Sequence, residues 1–153
     1  MTVALSAKEI VTQLSVKFPG AIEEAGNNAA LVKSDALPGV AEYLKTGEGL
    51  KFDYFNYVTA VDYFSYFEII YHMTSYEFNR SIVIKARCTR ENPTVPSVVK
   101  VWQGADFQER EIYDLFGIEF SSHPDLRRIV LWEGYQGHPL RKDFKDKVYG
   151  AGD

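Results

Sequence analysis

Arg80-Ser-Ile-Val-Ile-Lys-Ala-Arg-Cys88 alternates with a period of two. Ile82, Ile84, Ala86 and Cys88 share one face, and Ser81, Val83, Lys85 and Arg87 share the other. This is the pattern of a strand with one more buried face, on which Cys88 acts as a small buried hydrophobe. Working outward, residues 55–63 and 66–73 are dense in Val, Ile, Tyr and Phe and read as two further strands. Residues 74–79 can turn the chain back, so the middle of the protein is predicted to be a meander. Upstream, Ser6 and Glu9 form a capping box before Ile10, Val11, Leu14 and Phe18 at helical spacing. Pro19-Gly20 ends that helix. Residues 21–25 and 30–33 read as short strands around Gly26-Asn27-Asn28. Ser34 or Asp35 opens a second helix that runs to about Lys45, with Pro38 in its first turn. Downstream, 91–96 reads as a breaker. Residues 97–116 read as one helix whose weak point is Gly104, with a stripe of Val98, Val101, Trp102, Ala105, Ile112, Tyr113 and Phe116. Gly117 stops it. No long periodic element follows. The sum is an α+β domain over residues 1–120, a small mixed sheet with packed helices, followed by an irregular, extended C-terminal arm over 121–153.

Composition narrows the function classes. The 153 residues carry 17 Lys and Arg against 21 Asp and Glu, a net charge of -4. Nucleic acid is a poor partner for such a chain, because phosphate binding needs a basic face. A single cysteine excludes an internal disulfide and any cysteine-built zinc or iron–sulfur site made by this chain alone. The N-terminus lacks the pattern of a signal peptide, and no apolar run reaches the length of a membrane helix. No G-x-G-x-x-G, Walker A or G-x-S-x-G pattern occurs, and His72, His123 and His138 fit no zinc spacing.

Two clusters remain. The first is Glu109-Arg110-Glu111-Ile112-Tyr113-Asp114. At about 100° per residue, Glu109 falls within the stripe of Ala105, Ile112 and Phe116, whereas Arg110, Glu111 and Asp114 point elsewhere, toward solvent or another chain. A carboxylate in an apolar stripe must be paired or protonated. Arg127 and Arg128 are the nearest basic candidates for a buried ion pair; the rival is an acid with a raised pKa in a catalytic role. The second cluster is Gly137-His-Pro-Leu-Arg-Lys-Asp-Phe144, with Leu140 and Phe144 as apolar anchors around Arg141, Lys142 and Asp143. Such a segment suits an arm lying on another surface, or one packed back on its own domain.

Read together, three runs closely resemble the 30-kDa-type subunit of respiratory complex I, the proton-pumping NADH:quinone oxidoreductase. They are Glu109-Arg110-Glu111-Ile112-Tyr113-Asp114-Leu115-Phe116-Gly117-Ile118, His123-Pro124-Asp125-Leu126-Arg127-Arg128-Ile129, and Gly137-His138-Pro139-Leu140-Arg141-Lys142-Asp143-Phe144. Asn92-Pro93, Val95-Pro96-Ser97-Val98, Trp102, Ala105-Asp106-Phe107, Phe55-Asn56-Tyr57 and Val61-Asp62-Tyr63 resemble it too. Group 4 nickel–iron hydrogenases contain related subunits.

The resemblance implies a non-catalytic peripheral-arm subunit of an NADH (or ferredoxin):quinone oxidoreductase. It implies no flavin, iron–sulfur cluster, quinone or metal bound by this chain, although the complex as a whole carries iron–sulfur clusters and quinone. The implied partners are a large subunit resembling nickel–iron hydrogenase and the iron–sulfur subunits. Association with the membrane would be indirect, on the cytoplasmic face or its matrix or stromal equivalent. The motif residues would then serve structural ion pairs or the subunit interface. The rival readings are the same scaffold in a membrane-bound hydrogenase, and a free-standing enzyme using Glu109 as acid or base.

Overall fold

The computed structural model describes residues 1–146; the end of the expected arm, 147–153, lies outside the described residues. The order is β1 (Val3–Ala4), α1 (Ala7–Lys17), β2 (Ile22–Glu24), β3 (Ala30–Val32), α2 (Leu37–Thr46), β4 (Tyr54–Asp62), β5 (Tyr66–Ser75), β6 (Arg80–Thr89), β7 (Thr94–Pro96), α3 (Asp106–Phe116) and β8 (Glu119–Ser121). The class is α+β.

β4, β5 and β6 form the antiparallel meander, with Ile69 opposite Ala86 and Tyr71 opposite Ile84. β3 joins the free edge of β6 in parallel, and β2 completes that side of the sheet. β1 pairs in parallel with the start of β6. The alternation read from 80–88 holds: Ile82, Ile84, Ala86 and Cys88 are buried. They face Phe67, Ile69, Tyr71 and Met73 of β5, and α1 and α2 add Ile10, Leu14, Leu37, Val40, Ala41 and Leu44 to the same core. Each large side chain of this kind contributes about 1.5–3 kcal/mol by leaving water. Burial also pushes the Cys88 thiol up to about 11, so it packs as a hydrophobe. The capping box forms as expected: Ser6 Oγ accepts from the Glu9 N–H, and the Glu9 carboxylate accepts from the Ser6 N–H. β4 is the other edge of the sheet. There α3 lies alongside, and Val58 N–H donates to Gln108 Oε1 at 2.8 Å.

Two expectations need correction, and a third element was not foreseen. The helix read over 97–116 begins only at Asp106. Before it, the N–H groups of Val101 and Trp102 both turn back to the Val98 carbonyl, a 3-10 turn spans Gln103–Ala105, and the Trp102 indole N–H donates to the Phe52 carbonyl. The Val98 N–H goes to the Glu109 carboxylate and the Ser97 N–H to the Ser121 carbonyl, so the segment is tied to other elements before the helix starts. Second, the breaker segment 91–96 holds β7, which pairs in parallel with β8 in a sheet of two strands. Pro93 and Pro96 flank its middle without harm, because a two-stranded sheet has only edges. Third, β1 pairs through two residues and is too short to carry a periodic signal.

Candidate functional site

α3 is the pivot, because it is buried on two sides. Its inner stripe places Glu109 at 0% exposure, as the helical phase requires. The expected pairing with Arg127 or Arg128 does not occur. Glu109 Oε2 accepts from Ser97 Oγ at 2.6 Å, and Oε1 from the Val98 N–H at 2.8 Å. Burial raises its pKa to about 7, against the lowering effect of those two hydrogen bonds, and the nearby Asp106 charge adds to the rise. His123 is enclosed beside it, with Nε2 3.9 Å from Glu109 Oε2 and 3.0 Å from Asp106 Oδ1. The Asp125 N–H donates to His123 Nδ1, so Nε2 carries the proton of the neutral ring and points at the Asp106 carbonyl, 3.3 Å away. Glu109 is enclosed, and the cluster ties together α3, the β7 segment and the chain after β8.

The outer side of α3 differs most from the sequence reading. Asp114, expected to point to solvent or another chain, is 0% exposed, and Arg110 is buried too. Asp114 Oδ2 accepts from the successive N–H groups of Ile129, Val130 and Leu131 at 3.2, 2.7 and 2.8 Å, and Oδ1 from Arg128 Nη1 at 3.2 Å. One carboxylate thus gathers a whole turn of the arm. Arg110 donates from Nε to the Arg127 carbonyl and lies over Phe107. Arg127 pairs at the surface with Asp125. Glu111 and Pro124 are exposed, and Tyr113 and Phe116 are half-buried.

The third motif closes the C-terminal end of α3. Such an end leaves carbonyls without partners. Here the Gly117 N–H donates to the Tyr113 carbonyl, His138 Nδ1 to that of Asp114 at 2.8 Å, and the Leu140 N–H to that of Leu115 at 2.9 Å. Gly117 sits at φ +74°, and a Cβ there would lie 2.6 Å from the His138 ring. Only glycine permits both the left-handed turn and the approach of that ring. Pro139 is half-buried between these bonds. Beyond it, Arg141 Nε lies 3.2 Å from Asp143 Oδ1, the Lys142 N–H donates to the Asp62 carboxylate, and Phe144 stacks with Tyr135.

The described part of the arm therefore follows its own domain closely, yet leaves an apolar row outside. Ile129 is 40%, Val130 54%, Trp132 61% and Leu140 52% exposed. The structure also brings in Asp62, Arg90, Ser97 and Val98, which the sequence reading left outside the site. For Asp62 a signal existed: it continues the buried phase of Val58 and Ala60 along β4, where a carboxylate needs partners. Among the described residues no helix is long and apolar enough to cross a membrane.

Comparison with known proteins shows which family the chain resembles. A subunit of the NADH-quinone oxidoreductase of Roseiflexus sp. is 36% identical over 147 residues, which cover 92% of this chain and 84% of that protein. A subunit of the F(420)H(2) dehydrogenase of Methanosarcina mazei is 40% identical over 149 residues, covering 92% and 93%. Among solved structures, a trypsin-resistant fragment of Nqo5 matches with a TM-score of 0.59 and 26% identity, over 78% of this chain and 99% of that one. A chain of an archaeal membrane-bound sulfane sulfur reductase shares the fold, with a TM-score of 0.74 over 90% of this chain and 85% of its own. The family model for the 30 kDa subunit of respiratory-chain NADH dehydrogenase matches residues 30–149. The chain belongs to that family, as a subunit of a complex I-like oxidoreductase.

Proposed function

We propose that this chain is a bracing subunit in the peripheral arm of the complex, seated on the large subunit that resembles nickel–iron hydrogenase, near the quinone site. Electrons do not pass through it. The iron–sulfur clusters and the quinone belong to its neighbours, on the cytoplasmic face of the membrane or its matrix or stromal equivalent. The observation that carries this reading is the row Ile129, Val130, Trp132 and Leu140, exposed on a backbone that Asp114 and the end of α3 hold in place. Apolar groups fixed in position and rimmed by charge suit a permanent partner surface. The acid–base alternative loses support, because Glu109 is sealed from any substrate.

The test is affinity capture of the tagged chain from mildly solubilised native membranes, with mass spectrometry of what accompanies it. We expect a hydrogenase-like large subunit lacking nickel-binding cysteines, together with iron–sulfur subunits. Trp132→Ala and Leu140→Ala should each reduce that recovery several-fold while the chain itself stays folded. The same partners with nickel-binding cysteines intact would place the chain in a hydrogenase. Recovery of the chain alone would overturn the proposal.

A further inference from the structure

We infer that Asp62 is a second latch for the arm, which seats residues 141–143 on the sheet before any partner arrives, so that the arm docks as a preformed surface. This rests on the reading of the arm as an interface. Asp62 ends β4 and is 3% exposed. An ionised carboxylate offers about four acceptor positions. Arg90, which follows β6, takes two of them with a bidentate pair, Nη1 to Oδ1 at 2.7 Å and Nη2 to Oδ2 at 2.8 Å. The Phe64 N–H takes a third on Oδ1 at 2.8 Å, and so holds the β4–β5 turn, where Phe64 adopts φ +66°. The hairpin and its neighbouring strand therefore leave one position open. The Lys142 N–H fills it, donating to Oδ2 at 2.8 Å from a residue 80 positions further along the chain.

The residues on either side of Lys142 follow the same centre. Asp143 Oδ1 lies 3.4 Å from Arg90 Nη2 and 3.2 Å from Arg141 Nε. The guanidinium carbons of Arg90 and Arg141 lie 4.9 and 5.1 Å from the centroid of the Phe67 ring, and Lys142 Nζ lies 4.7 Å from that of Phe64. Arg141 is thereby turned toward its own domain. Leu140, between the bond to Leu115 and the bond to Asp62, has its backbone fixed on both sides and its side chain outside. A partner that meets this segment has less backbone ordering entropy to overcome there, and mainly side-chain freedom is left to restrict.

The experiment is amide hydrogen exchange, resolved by NMR, on the full free chain. The Lys142 amide should exchange about tenfold or more slowly than in an unstructured peptide, the least that a charge-assisted hydrogen bond implies. In Asp62→Asn it should approach the peptide rate, while the amides of Ile69 in the sheet and Leu131 on Asp114 keep their protection. Should Asp62→Asn not fold, Lys142→Pro removes the same hydrogen bond from the arm's side, and loss of protection at Leu140 and Phe144 is the expected result. A Lys142 amide that exchanges at the peptide rate in the wild-type chain overturns the inference. So does protection that survives in both variants. Failure of the docking reading would show separately, as a wild-type chain with a protected Lys142 amide that captures no partner from the membrane.

Discussion

Asp114→Asn tests whether the arm is held as the geometry states. The substitution keeps the volume and one carbonyl oxygen. It removes the charge and places an amide NH2 where an oxygen accepted. If the remaining oxygen stays with the N–H groups of Val130 and Leu131, the NH2 faces the Arg128 guanidinium, donor against donor. If the amide flips, three backbone N–H groups lose their acceptor. Each hydrogen bond to a charged group is worth about 1.5–3 kcal/mol, and breaking one side of a buried ionic network costs roughly 3–5 kcal/mol. The four bonds do not add, since they hold one short segment, so about 3 kcal/mol is the expected loss. Urea unfolding of the full chain reads it: with m near 1–3 kcal/mol per molar, the midpoint should fall by roughly 1–3 M. The slope should fall too if the arm releases before the sheet. Trypsin should meanwhile cleave after Arg127 and Arg128 sooner than in the wild type. A loss below about 0.5 kcal/mol, the level of an ordinary surface change, with unchanged cleavage, would refute the claim that Asp114 organises the arm.

Two further outcomes follow from the site. Glu109 has a folded pKa of about 7, above its ordinary 4.5. The folded state thus binds more protons than the unfolded one between these values, so its contribution is fully present below pH 4.5 and is lost as pH rises through 7. Compared with Glu109→Gln in urea titrations from about pH 5 to 8, the wild type should lose on the order of 2–3 kcal/mol more, because His72, whose pKa burial lowers, adds the same opposite slope to both chains; a difference between them that does not fall with pH would contradict the assignment. Gly117→Ala should cost about 1–3 kcal/mol for its left-handed backbone, with more for the contact with the His138 ring. A double-mutant cycle with His138→Ala, read by thermal unfolding, should return the part due to that contact and leave the backbone part.

The sequence exposed the elements that repeat and hid the contacts that do not. The meander was legible because Ile82, Ile84, Ala86 and Cys88 alternate over a full strand, and α1 because Ser6 and Glu9 mark its start. Helical phase placed Glu109 inside the molecule. It could not supply the partner, because Ser97 and the Val98 N–H belong to a segment whose apolar spacing imitates a helix. The same phase misplaced Asp114. Relative to Ala105 it lies about 180° round the helix, on the side a single apolar stripe assigns to water. That side is covered by the arm, whose N–H groups suit a carboxylate better than a leucine, so burial there leaves no hydrophobic trace. Capping of α3 by Gly137-His138-Pro139-Leu140 was likewise invisible, since backbone donors and one imidazole carry it.

The Val58–Gln108 hydrogen bond also bears on the chain's life before assembly. β4 is an edge strand, with Tyr54 and Tyr57 exposed along it. An open edge of this composition is a template on which a second copy can add and start an aggregate. Gln108 occupies one of the edge donors with a side chain from α3, and the register shift between Phe55 and Tyr57 breaks the regularity that a stranger strand would need. The helix that anchors the arm therefore also blunts the sheet. A free protein awaiting its partners is shielded from its own kind by one glutamine and one irregularity in a strand.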